Sequence, residues 1–439
     1  MTAQLILFLA MAQAPDLPAR LDEQVRAYVD QQKFNGSVLV ARDGKELLKR
    51  GYGLANAEWN IANTPTTKFR LGSITKQFTA MLILQLEQQG KLSVNDPACK
   101  YVEDCPAAWQ PITIHHLLTH TSGIPNFTSF PDYLATMHEA SPPKDTLKRV
   151  RDKPLVFDPG TKWQYSNSGY VLLGYIIEKV AGMPYADLLK KNIFGPLEMN
   201  DTGYERWTDV LPNRAAGYER GPGGLRNAAY INMTIPHAAG ALYSTVEDLC
   251  KWDQALYTQK LLPKEAMTRY FTPFKDDYAY GWAVQKFDGM DVIQHGGGIN
   301  GFSTQITRVP ALKLVVIALD NVLPAATGKM ADDLMKLAAG HPVDKPGTKK
   351  EISVKPEILR QYIGAYVFSP AFKIDVTLED GALITQATGQ PKLPIYAESE
   401  TRFFPKLVDA TLIFEKDGEG KVMGLTLEQN GRTMRATRQ

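Results

Sequence analysis

The stretch FRLGSITKQFTAMLILQLEQQG, residues 69–90, decides which fold and which chemistry the sequence predicts. A glycine, then Ser73, then an apolar-rich run predicts a helix with Ser73 at or just inside its N-cap and Gly90 at its far end. Such a helix prefers Glu three residues after the serine, because a carboxylate suits the positive end of the helix dipole. The sequence places Lys76 there instead. A local violation of this kind is expected where a residue serves function.

Ser73 and Lys76 match a nucleophile and its base. Three residues apart on a helix, their side chains share one face. A serine hydroxyl is a weak nucleophile until a base removes its proton, and a desolvated lysine amine can be that base. The alternative is a capping serine beside a lysine that extends to solvent. The same spacing recurs at Ser141 and Lys144, but two intervening prolines prevent an ordinary helical turn there, so the helical context carries the prediction.

A second motif, YSN at 165–167, precedes another apolar helix. Position 167 or 168 is expected to cap that helix and Gly182 to end it, which leaves Tyr165 in the preceding loop. A neutral phenol can relay a proton, and the Asn167 amide can hydrogen-bond a substrate amide or carbonyl. A core tyrosine and a helix cap are the alternative roles. The similar triplet YIN at 230–232 shows that this motif alone has little specificity.

A third motif, HGGG at 295–298, follows a predicted strand. Its glycines let another backbone or a ligand approach closely. A glycine-rich hairpin turn is the alternative. In the functional interpretation, a backbone N–H group of this segment completes an oxyanion hole, whose removal typically costs about 10²–10³ in rate.

The composition is that of a globular protein. The chain has 439 residues, of which 44% are hydrophobic and 22% charged, and this length predicts two domains. A formal net charge of +2 gives no electrostatic reason to expect nucleic acid or an anionic membrane as a partner. The sequence also lacks an apolar run of the roughly 18 residues that a membrane-spanning helix needs.

The order of predicted elements indicates an α+β fold. Strands at both ends of the first domain enclose a helical middle region, which predicts a mostly antiparallel sheet flanked by helices, with a helical subdomain. The predicted segments are a hairpin at 36–53, helices at 90–265, strands at 280–298, 302–309 and 313–321, and a helix at 327–339.

A smaller all-β domain is predicted at the C-terminus. Residues 343–355 are polar and contain proline, as a linker does. The turn signals Asp380-Gly381, Asp417-Gly418 and Asn430-Gly431 then separate short alternating runs. They predict a sandwich or barrel. The predicted boundaries are 15–342 for the first domain, 343–355 for the linker and 356–439 for the β domain.

Residues 1–14 resemble a signal peptide. A short apolar centre precedes the small-x-small sequence Ala12-Gln13-Ala14, although a basic n-region is lacking. Cys99 and Cys105 can close a small loop in an oxidising compartment, which leaves Cys250 free. We expect a periplasmic or secreted protein; the alternative is a cytoplasmic protein with a frayed apolar N-terminus.

Together and in this order, the three motifs resemble those of the serine β-lactamase and penicillin-binding superfamily, in its class C-like branch of β-lactamase-related esterases, D-aminopeptidases and D-peptidases. The resemblance covers about residues 30–325, and LRQYIGAYVF at 359–368 is similar to a lipocalin-like β domain often appended to these enzymes. It implies a serine hydrolase without a cofactor, whose cleft lies between the sheet and the helical subdomain. Its partner is a small-molecule or peptide substrate.

The resemblance also implies a role for each motif residue. Ser73 is the acylated nucleophile and Lys76 accepts its proton. Tyr165 protonates the leaving group and helps to activate the deacylating water, while Asn167 contacts the substrate. The backbone N–H groups of Ser73 and Gly298 form the oxyanion hole.

The third motif departs from the family pattern at one position. His295, Gly296 and Gly297 occupy the substrate-binding motif, where class C β-lactamases and penicillin-binding proteins carry Lys instead of His. Histidine is mostly neutral at neutral pH and attracts a substrate carboxylate less well. The related D-aminopeptidases and esterases are similar to this chain in having His. Cleavage of small esters or D-amino-acid amides and peptides is therefore expected, with a class C-type β-lactamase or D-Ala-D-Ala carboxypeptidase as the alternative.

Other classes of protein fit less well. An α/β-hydrolase would need a G-x-S-x-G elbow, which the sequence lacks. HHLLTH places His116 and His120 at metal-ligand spacing, but Leu117 stands where a zinc protease needs Glu, so a helix end without metal is expected. A penicillin-binding or sensor protein with little turnover is the non-enzyme alternative, which the intact motifs argue against.

Overall fold

The computed structural model describes residues 16–439 apart from 222, 347–350, 370–371, 391, 407, 409 and 430–431. These residues divide into two compact units, one ending at Val343 and the other beginning at Asp344. The predicted signal peptide at 1–14 and the predicted turn at Asn430-Gly431 lie outside the described residues. In the part of the chain that the structure describes, no helix combines the length and the apolar character needed to cross a membrane.

Helices and strands alternate irregularly through the first unit. Its α-helices are α1 Leu17–Asp30, α2 Thr75–Gln88, α3 Ile114–Leu118, α4 Tyr133–Thr136, α5 Pro143–Arg151, α6 Asn167–Ala181, α7 Tyr185–Leu189, α8 His237–Gly240, α9 Val246–Ala255, α10 Lys264–Phe271 and α11 Thr327–Ala338. Its strands are β1 Gly36–Arg42, β2 Lys45–Tyr52, β3 Leu54–Asn56, β4 Ile61–Ala62, β5 Phe69–Arg70, β6 Gly203–Tyr204, β7 Tyr218–Gly221, β8 Gly224–Asn227, β9 Leu242–Ser244, β10 Ala283–Phe287, β11 Met290–Ile299, β12 Phe302–Val309, β13 Leu314–Asp320 and β14 Val322–Leu323.

The main sheet joins strands from both ends of this unit. Its order is β10-β11-β12-β13-β1-β2, and every neighbouring pair is antiparallel. Three small sheets, β3-β4, β5-β9-β6 and β14-β7-β8, accompany it. The α+β prediction with an antiparallel sheet is therefore confirmed.

The main sheet separates two hydrophobic cores. Val40 and Val316, which pair across β1 and β13, belong to the core that also contains side chains of α1 and α11. Leu39 and Ile317, the next pair in the register, belong to the core that contains α2. Successive strand residues point to opposite faces. Burial on both faces explains why these strands are continuously apolar in sequence.

Helix α2 is buried from Thr75 to Leu86, as an apolar helix in a core should be. Ser73 lies just inside the start of the helical segment, in a 3₁₀ turn, Gly72–Ile74, and α2 follows this turn without a side-chain cap. The Ser73 hydroxyl contacts Lys76 instead of a backbone N–H group. The predicted end is confirmed, since Gly90 follows the helix with a φ of 67°.

The remaining helix and strand motifs differ from prediction in detail. Helix α6 begins at Asn167 and ends before Gly182 in the left-handed conformation, but it has no side-chain cap, because the Asn167 amide contacts other side chains. The glycines at 296–298 lie within β11, so they are neither a hairpin turn nor a segment after the strand.

The second unit is a closed antiparallel barrel with one short helix. Aromatic rings fill part of its interior, where Tyr362 stacks on Phe414 with ring centroids 4.2 Å apart. The predicted Asp380-Gly381 and Asp417-Gly418 signals fall between neighbouring strands. Its elements are α12 Pro356–Leu359, β15 Gly364–Ser369, β16 Phe372–Glu379, β17 Ala382–Ala387, β18 Leu393–Ala397, β19 Arg402–Pro405, β20 Ala410–Lys416, β21 Val422–Gln429 and β22 Arg432–Arg438.

The cysteines adopt the arrangement that the sequence allowed. A disulfide joins Cys99 and Cys105, while Cys250 is a free, partly buried thiol. Burial raises the pKa of the Cys250 thiol to about 12. This cysteine is therefore a protonated packing residue at neutral pH.

Candidate active site

Ser73 and Lys76 lie side by side where the 3₁₀ turn meets α2. The Ser73 Oγ and Lys76 Nζ atoms are 3.1 Å apart. Ser73 is partly exposed, whereas the Lys76 side chain is fully buried. Burial disfavours the charged amine and lowers the pKa of Lys76 well below its ordinary value of 10.5. An accessible hydroxyl thus contacts an amine whose neutral form is favoured.

The other hydrogen bonds of Lys76 orient that amine. Nζ donates to Asn167 Oδ1 over 2.8 Å and to the Ala239 carbonyl oxygen over 2.9 Å. Both oxygens can only accept. A neutral amine has two N–H bonds and one lone pair, so these two donations leave the lone pair for the Ser73 hydroxyl proton. The arrangement fits a base directed at Ser73.

Tyr165 projects from the loop before α6 towards the same pair. Its ring centroid lies 4.7 Å from Lys76 Nζ. Burial raises the pKa of the Tyr165 phenol above its ordinary value of 10, and a hydrogen bond with the Ser73 side chain offsets part of that increase. The phenol therefore keeps its proton at neutral pH and can donate it.

The glycines of β11 let the segment that carries Ser73 lie against the sheet. A Cβ atom at Gly297 would fall 1.9 Å from the Leu71 carbonyl oxygen, and one at Gly72 would fall 2.9 Å from Gly298 N. Gly72 also has a φ of 53°, which a side chain would strain. Thr304 Oγ1 donates to the Leu71 carbonyl oxygen over 2.7 Å and ties the segment down. Only glycine fits at these two positions.

The edge of β11 supplies backbone donors near Ser73. Strand β10 pairs with β11 only as far as Gln294, so over His295–Ile299 the described strands leave one edge of β11 uncovered. Alternate N–H groups of an antiparallel strand point to each side. The N–H group of Ser73 belongs to the first turn of a helical segment, where N–H groups lack an intrahelical acceptor. Together with Gly298 N, it is the candidate oxyanion hole.

His295 is buried, and both of its ring nitrogens are engaged. Nδ1 lies 2.6 Å from the Gly296 carbonyl oxygen and Nε2 lies 2.9 Å from the Tyr278 hydroxyl. A carbonyl only accepts, so Nδ1 carries the proton and the Tyr278 hydroxyl donates to Nε2. Burial, with a smaller effect of Lys76, lowers the pKa of His295 to about 4. The ring is neutral at neutral pH, and its predicted contact with substrate stays a prediction.

Asn167 links Lys76 to the loop at 126–128. Its Nδ2 lies 3.3 Å from Thr128 Oγ1, and its backbone N–H donates to Asn126 Oδ1 over 3.1 Å. These contacts place loop 126–128 beside the site. Asn167 thus holds Lys76, and its predicted contact with substrate stays a prediction.

Some residues beside the site were not predicted from the sequence. Ala239 contributes only a carbonyl group, and Tyr278 contributes a hydroxyl to His295. The sequence around Ala239 and Tyr278 does not indicate these contacts, because the folded chain brings each residue to its partner. The sequence predicts only a helix end at the HHLLTH segment, yet the His120 ring lies 4.3 Å from that of Tyr165.

The HHLLTH segment has a different role from metal binding. His116 Nδ1 accepts a hydrogen bond from the Thr113 N–H group in a capping box at the start of α3. Among the described residues, no group of three or more His, Cys, Asp or Glu side chains could hold a metal ion.

Comparisons with known proteins identify the family of this chain. The Beta-lactamase family model matches residues 21–340, and a model described as a domain of unknown function (DUF3471) matches residues 348–438. The chain is 30% identical to penicillin-binding protein 4* of Bacillus subtilis (strain 168), over 93% of this chain and 96% of that protein.

Solved structures are similar as well. The octameric penicillin-binding protein homologue from Pyrococcus abyssi has a TM-score of 0.71 and 27% identity, covering 95% of this chain and 99% of that chain. A D-stereospecific amidohydrolase from Streptomyces sp. has a TM-score of 0.63 and 27% identity, covering 75% of this chain and 100% of that chain. The chain therefore belongs to the Beta-lactamase family, in the superfamily of serine β-lactamases and penicillin-binding proteins. The predicted fold with a C-terminal β barrel is confirmed.

Proposed function

We propose that this chain is a serine hydrolase that cleaves small carboxylic esters or D-amino-acid amides and peptides through an acyl-enzyme on Ser73. One observation carries the proposal: the Ser73 hydroxyl contacts a buried amine whose N–H bonds are directed to Asn167 and Ala239. An amine in that state is a base, and a base beside an accessible serine hydroxyl is the arrangement that activates a nucleophile.

Acylation uses the side chains of Ser73, Lys76 and Tyr165 in turn. Ser73 Oγ forms a bond to the substrate carbonyl carbon while its proton moves to Lys76 Nζ. The carbonyl oxygen becomes an oxyanion and accepts hydrogen bonds from the N–H groups of Ser73 and Gly298. The bond to the leaving group then breaks. The departing alcohol or amine takes the proton of the Tyr165 hydroxyl, which regains one from Lys76.

Deacylation reverses these proton movements with water as the nucleophile. Water attacks the ester carbonyl and gives up a proton to the Tyr165 and Lys76 pair. The second tetrahedral intermediate breaks its bond to Ser73 Oγ, which regains a proton. One water is consumed for each bond cleaved, and the products are a carboxylic acid and an alcohol or amine.

The neutral state of His295 supports esters and amides over β-lactams. A substrate carboxylate needs a cation, and the His295 ring is uncharged, buried and hydrogen-bonded at both nitrogens. The likeness to a D-stereospecific amidohydrolase supports the amide part of the proposal. The likeness to penicillin-binding protein 4* supports the alternative of a class C-type β-lactamase or D-Ala-D-Ala carboxypeptidase.

A substrate panel separates these possibilities. It contains short- and long-chain p-nitrophenyl esters, D-amino-acid anilides, a D-alanyl-D-alanine peptide and a chromogenic cephalosporin. We expect kcat/KM to be highest for a short ester or a D-amino-acid anilide. Fast turnover of the cephalosporin alone would establish the β-lactamase instead, and acylation without turnover would establish a binding or sensor protein.

The nucleophile is tested with a fluorophosphonate probe and the variant Ser73→Ala. The wild-type chain should gain the probe at Ser73, as located by peptide mass spectrometry, and Ser73→Ala should gain none. Ser141→Ala, which removes the serine of the other S-x-x-K sequence, is the matched control and should be labelled like the wild type. Labelling of Ser73→Ala at the wild-type level would refute the assignment.

We also propose a periplasmic or secreted location. Disulfides persist in oxidising compartments, and the Cys99–Cys105 bond supports such a location. Fractionation of cells that express the full chain, together with N-terminal sequencing of the mature protein, tests it. A cytoplasmic protein with an intact N-terminus would contradict the proposal.

A further inference from the structure

His120 is a buried histidine whose ring packs against that of Tyr165. The residue is 2% exposed, and its ring centroid lies 4.3 Å from that of Tyr165. It follows helix α3 and has a φ of 58°, a left-handed conformation that is uncommon for a residue other than glycine. Strained backbone of this kind persists where the surroundings hold it in place.

This single residue holds the loop on both sides of Tyr165. The Gln164 N–H group donates to the His120 carbonyl oxygen over 3.0 Å. The Ser166 N–H group donates to His120 Nδ1 over 3.2 Å. The residues immediately before and after Tyr165 are therefore bound to the backbone and to the side chain of His120, respectively.

The surroundings of the ring keep Nδ1 available as an acceptor. An N–H group donates to Nδ1, so the ring proton is on Nε2. Nε2 has no hydrogen-bond partner among the described residues. The rings of Tyr165, Tyr170 and Tyr278 lie within 5.1 Å of the His120 ring, centroid to centroid. Burial, with smaller effects of Lys76 and His295, lowers the pKa of His120 well below its ordinary value of 6.5.

We propose that His120 is a positioning residue for catalysis: by accepting the Ser166 N–H group at Nδ1, it fixes the loop so that the Tyr165 hydroxyl stays beside Ser73. This inference rests on the proposed function, in which Tyr165 protonates the leaving group. The hydrogen bonds of His120 that carry this role are made with the backbone N–H groups of Gln164 and Ser166.

The proposal predicts a dependence on the leaving group. An alkoxide is a poor leaving group and needs a proton as it departs, whereas p-nitrophenolate leaves readily without one. General acid catalysis contributes about 10²–10⁴ in rate where it is needed. A displaced Tyr165 should therefore slow the cleavage of an alkyl ester much more than that of a p-nitrophenyl ester of the same acid.

Two substitutions isolate the acceptor at Nδ1. His120→Phe keeps an aromatic ring but removes the acceptor. His120→Asn places an amide oxygen near the Nδ1 position and tolerates the left-handed backbone. We expect His120→Phe to lower kcat/KM for the alkyl ester by about 10²-fold and for the p-nitrophenyl ester by less than about tenfold. His120→Asn should return the ratio of the two rates towards the wild-type value.

A third variant covers the case in which His120→Phe does not fold. His120→Gln carries its amide near the Nε2 position rather than the Nδ1 position, so it should behave like Phe and unlike Asn. Circular dichroism and Tm are recorded for every variant.

The outcomes separate this proposal from the proposed function. Turnover that Ser73→Ala does not abolish overturns the function itself. Turnover that depends on Ser73, with an unchanged ratio of alkyl to p-nitrophenyl rates in folded His120→Phe or His120→Gln, overturns the role of His120 alone. Equal losses for both esters in all His120 variants would also overturn it, because they would indicate a structural role only.

Discussion

At the scale of single residues, opposite pKa shifts divide the chemistry between two side chains. Burial lowers the pKa of Lys76 and raises that of Tyr165, which supports the proposed roles of the amine as a proton acceptor and of the phenol as a proton donor. Burial thus favours the neutral form of both side chains. Pairs of titratable groups shifted in opposite directions are typical of acid and base partners.

The pH dependence of kcat/KM should reflect these two shifts. Lys76 must be neutral to accept a proton, so activity is lost as the pH falls through a pKa well below 10.5. Tyr165 must be protonated to donate, so activity is lost only above the ordinary phenol pKa of 10. A neutral ester assayed across pH should therefore show an acid limb well below pH 10.5, an alkaline limb above pH 10 and a plateau between them. An acid limb that lies near pH 10.5, as for an exposed lysine, would contradict this account.

The charge at position 295 should control the selection of carboxylate substrates. His295→Lys adds a cation to the third motif and should raise kcat/KM for the cephalosporin relative to the neutral ester by about tenfold, equivalent to roughly 1.4 kcal/mol. His295→Gln, which adds no charge, is the matched control and should leave the ratio unchanged. The prediction fails if both variants change the ratio equally.

At the scale of elements, two glycine positions set how closely the Ser73 segment and β11 pack. A methyl group at Gly297 would meet a backbone oxygen at 1.9 Å. One at Gly296 would meet the end of the Gln305 side chain at 2.9 Å, and the nearest backbone atom, the Thr304 oxygen, lies at an ordinary contact distance of 3.6 Å. A backbone atom cannot move aside without moving Ser73, but a flexible side chain can. The sequence predicted glycines that allow close approach, and the structure identifies which atoms approach.

Gly297→Ala should therefore be far more damaging than Gly296→Ala. Displacement of the strand edge from Ser73 disturbs the oxyanion hole, and we expect kcat/KM to fall by about 10²–10³-fold. Gly296→Ala should lower kcat/KM at least about tenfold less than Gly297→Ala does, since only the Gln305 side chain must move. Steady-state kinetics with a p-nitrophenyl ester checks both, and equal losses would refute the argument from close approach.

A buried ion pair joins helix α9 to strand β12. Arg308 Nε donates to Asp253 Oδ1 over 2.5 Å, and both side chains are at most 1% exposed. Asp253→Ala would leave the guanidinium buried without its partner and should lower the free energy of unfolding by about 3–5 kcal/mol. Asp291→Ala, which breaks the exposed pair with Lys286, should cost at most about 1 kcal/mol. Chemical denaturation measures both, and similar costs would contradict the difference in burial.

At the scale of the whole molecule, the chain comprises two compact units with separate cores. The residues proposed for catalysis, from Ser73 to Gly298, and both faces of the main sheet lie before Asp344. The barrel has an aromatic core of its own. Each unit therefore contains the buried apolar surface that an independent domain needs.

Chains cut between the units should fold separately. We expect a chain ending at Val343 to unfold cooperatively and to retain Ser73-dependent labelling by the fluorophosphonate probe. A chain of residues 344–439 should show the near-ultraviolet dichroism of packed aromatic rings. If the first chain aggregates or is unlabelled while the full chain is labelled, the catalytic unit depends on the barrel and the prediction is wrong.

The sequence by itself determined the class of fold, because that depends on local periodicity and turn residues, and it indicated the family through the resemblance of its three motifs. It did not determine the 3₁₀ turn at Ser73, the carbonyl of Ala239 beside Lys76, or the pairing of His295 with Tyr278. The last two contacts join residues 163 and 17 positions apart in sequence, and only packing of the folded chain brings them together. The turn contains Gly72, which packs against Gly298 of β11. The state of the Lys76 amine was likewise decided by tertiary structure, because burial comes from its neighbours in space.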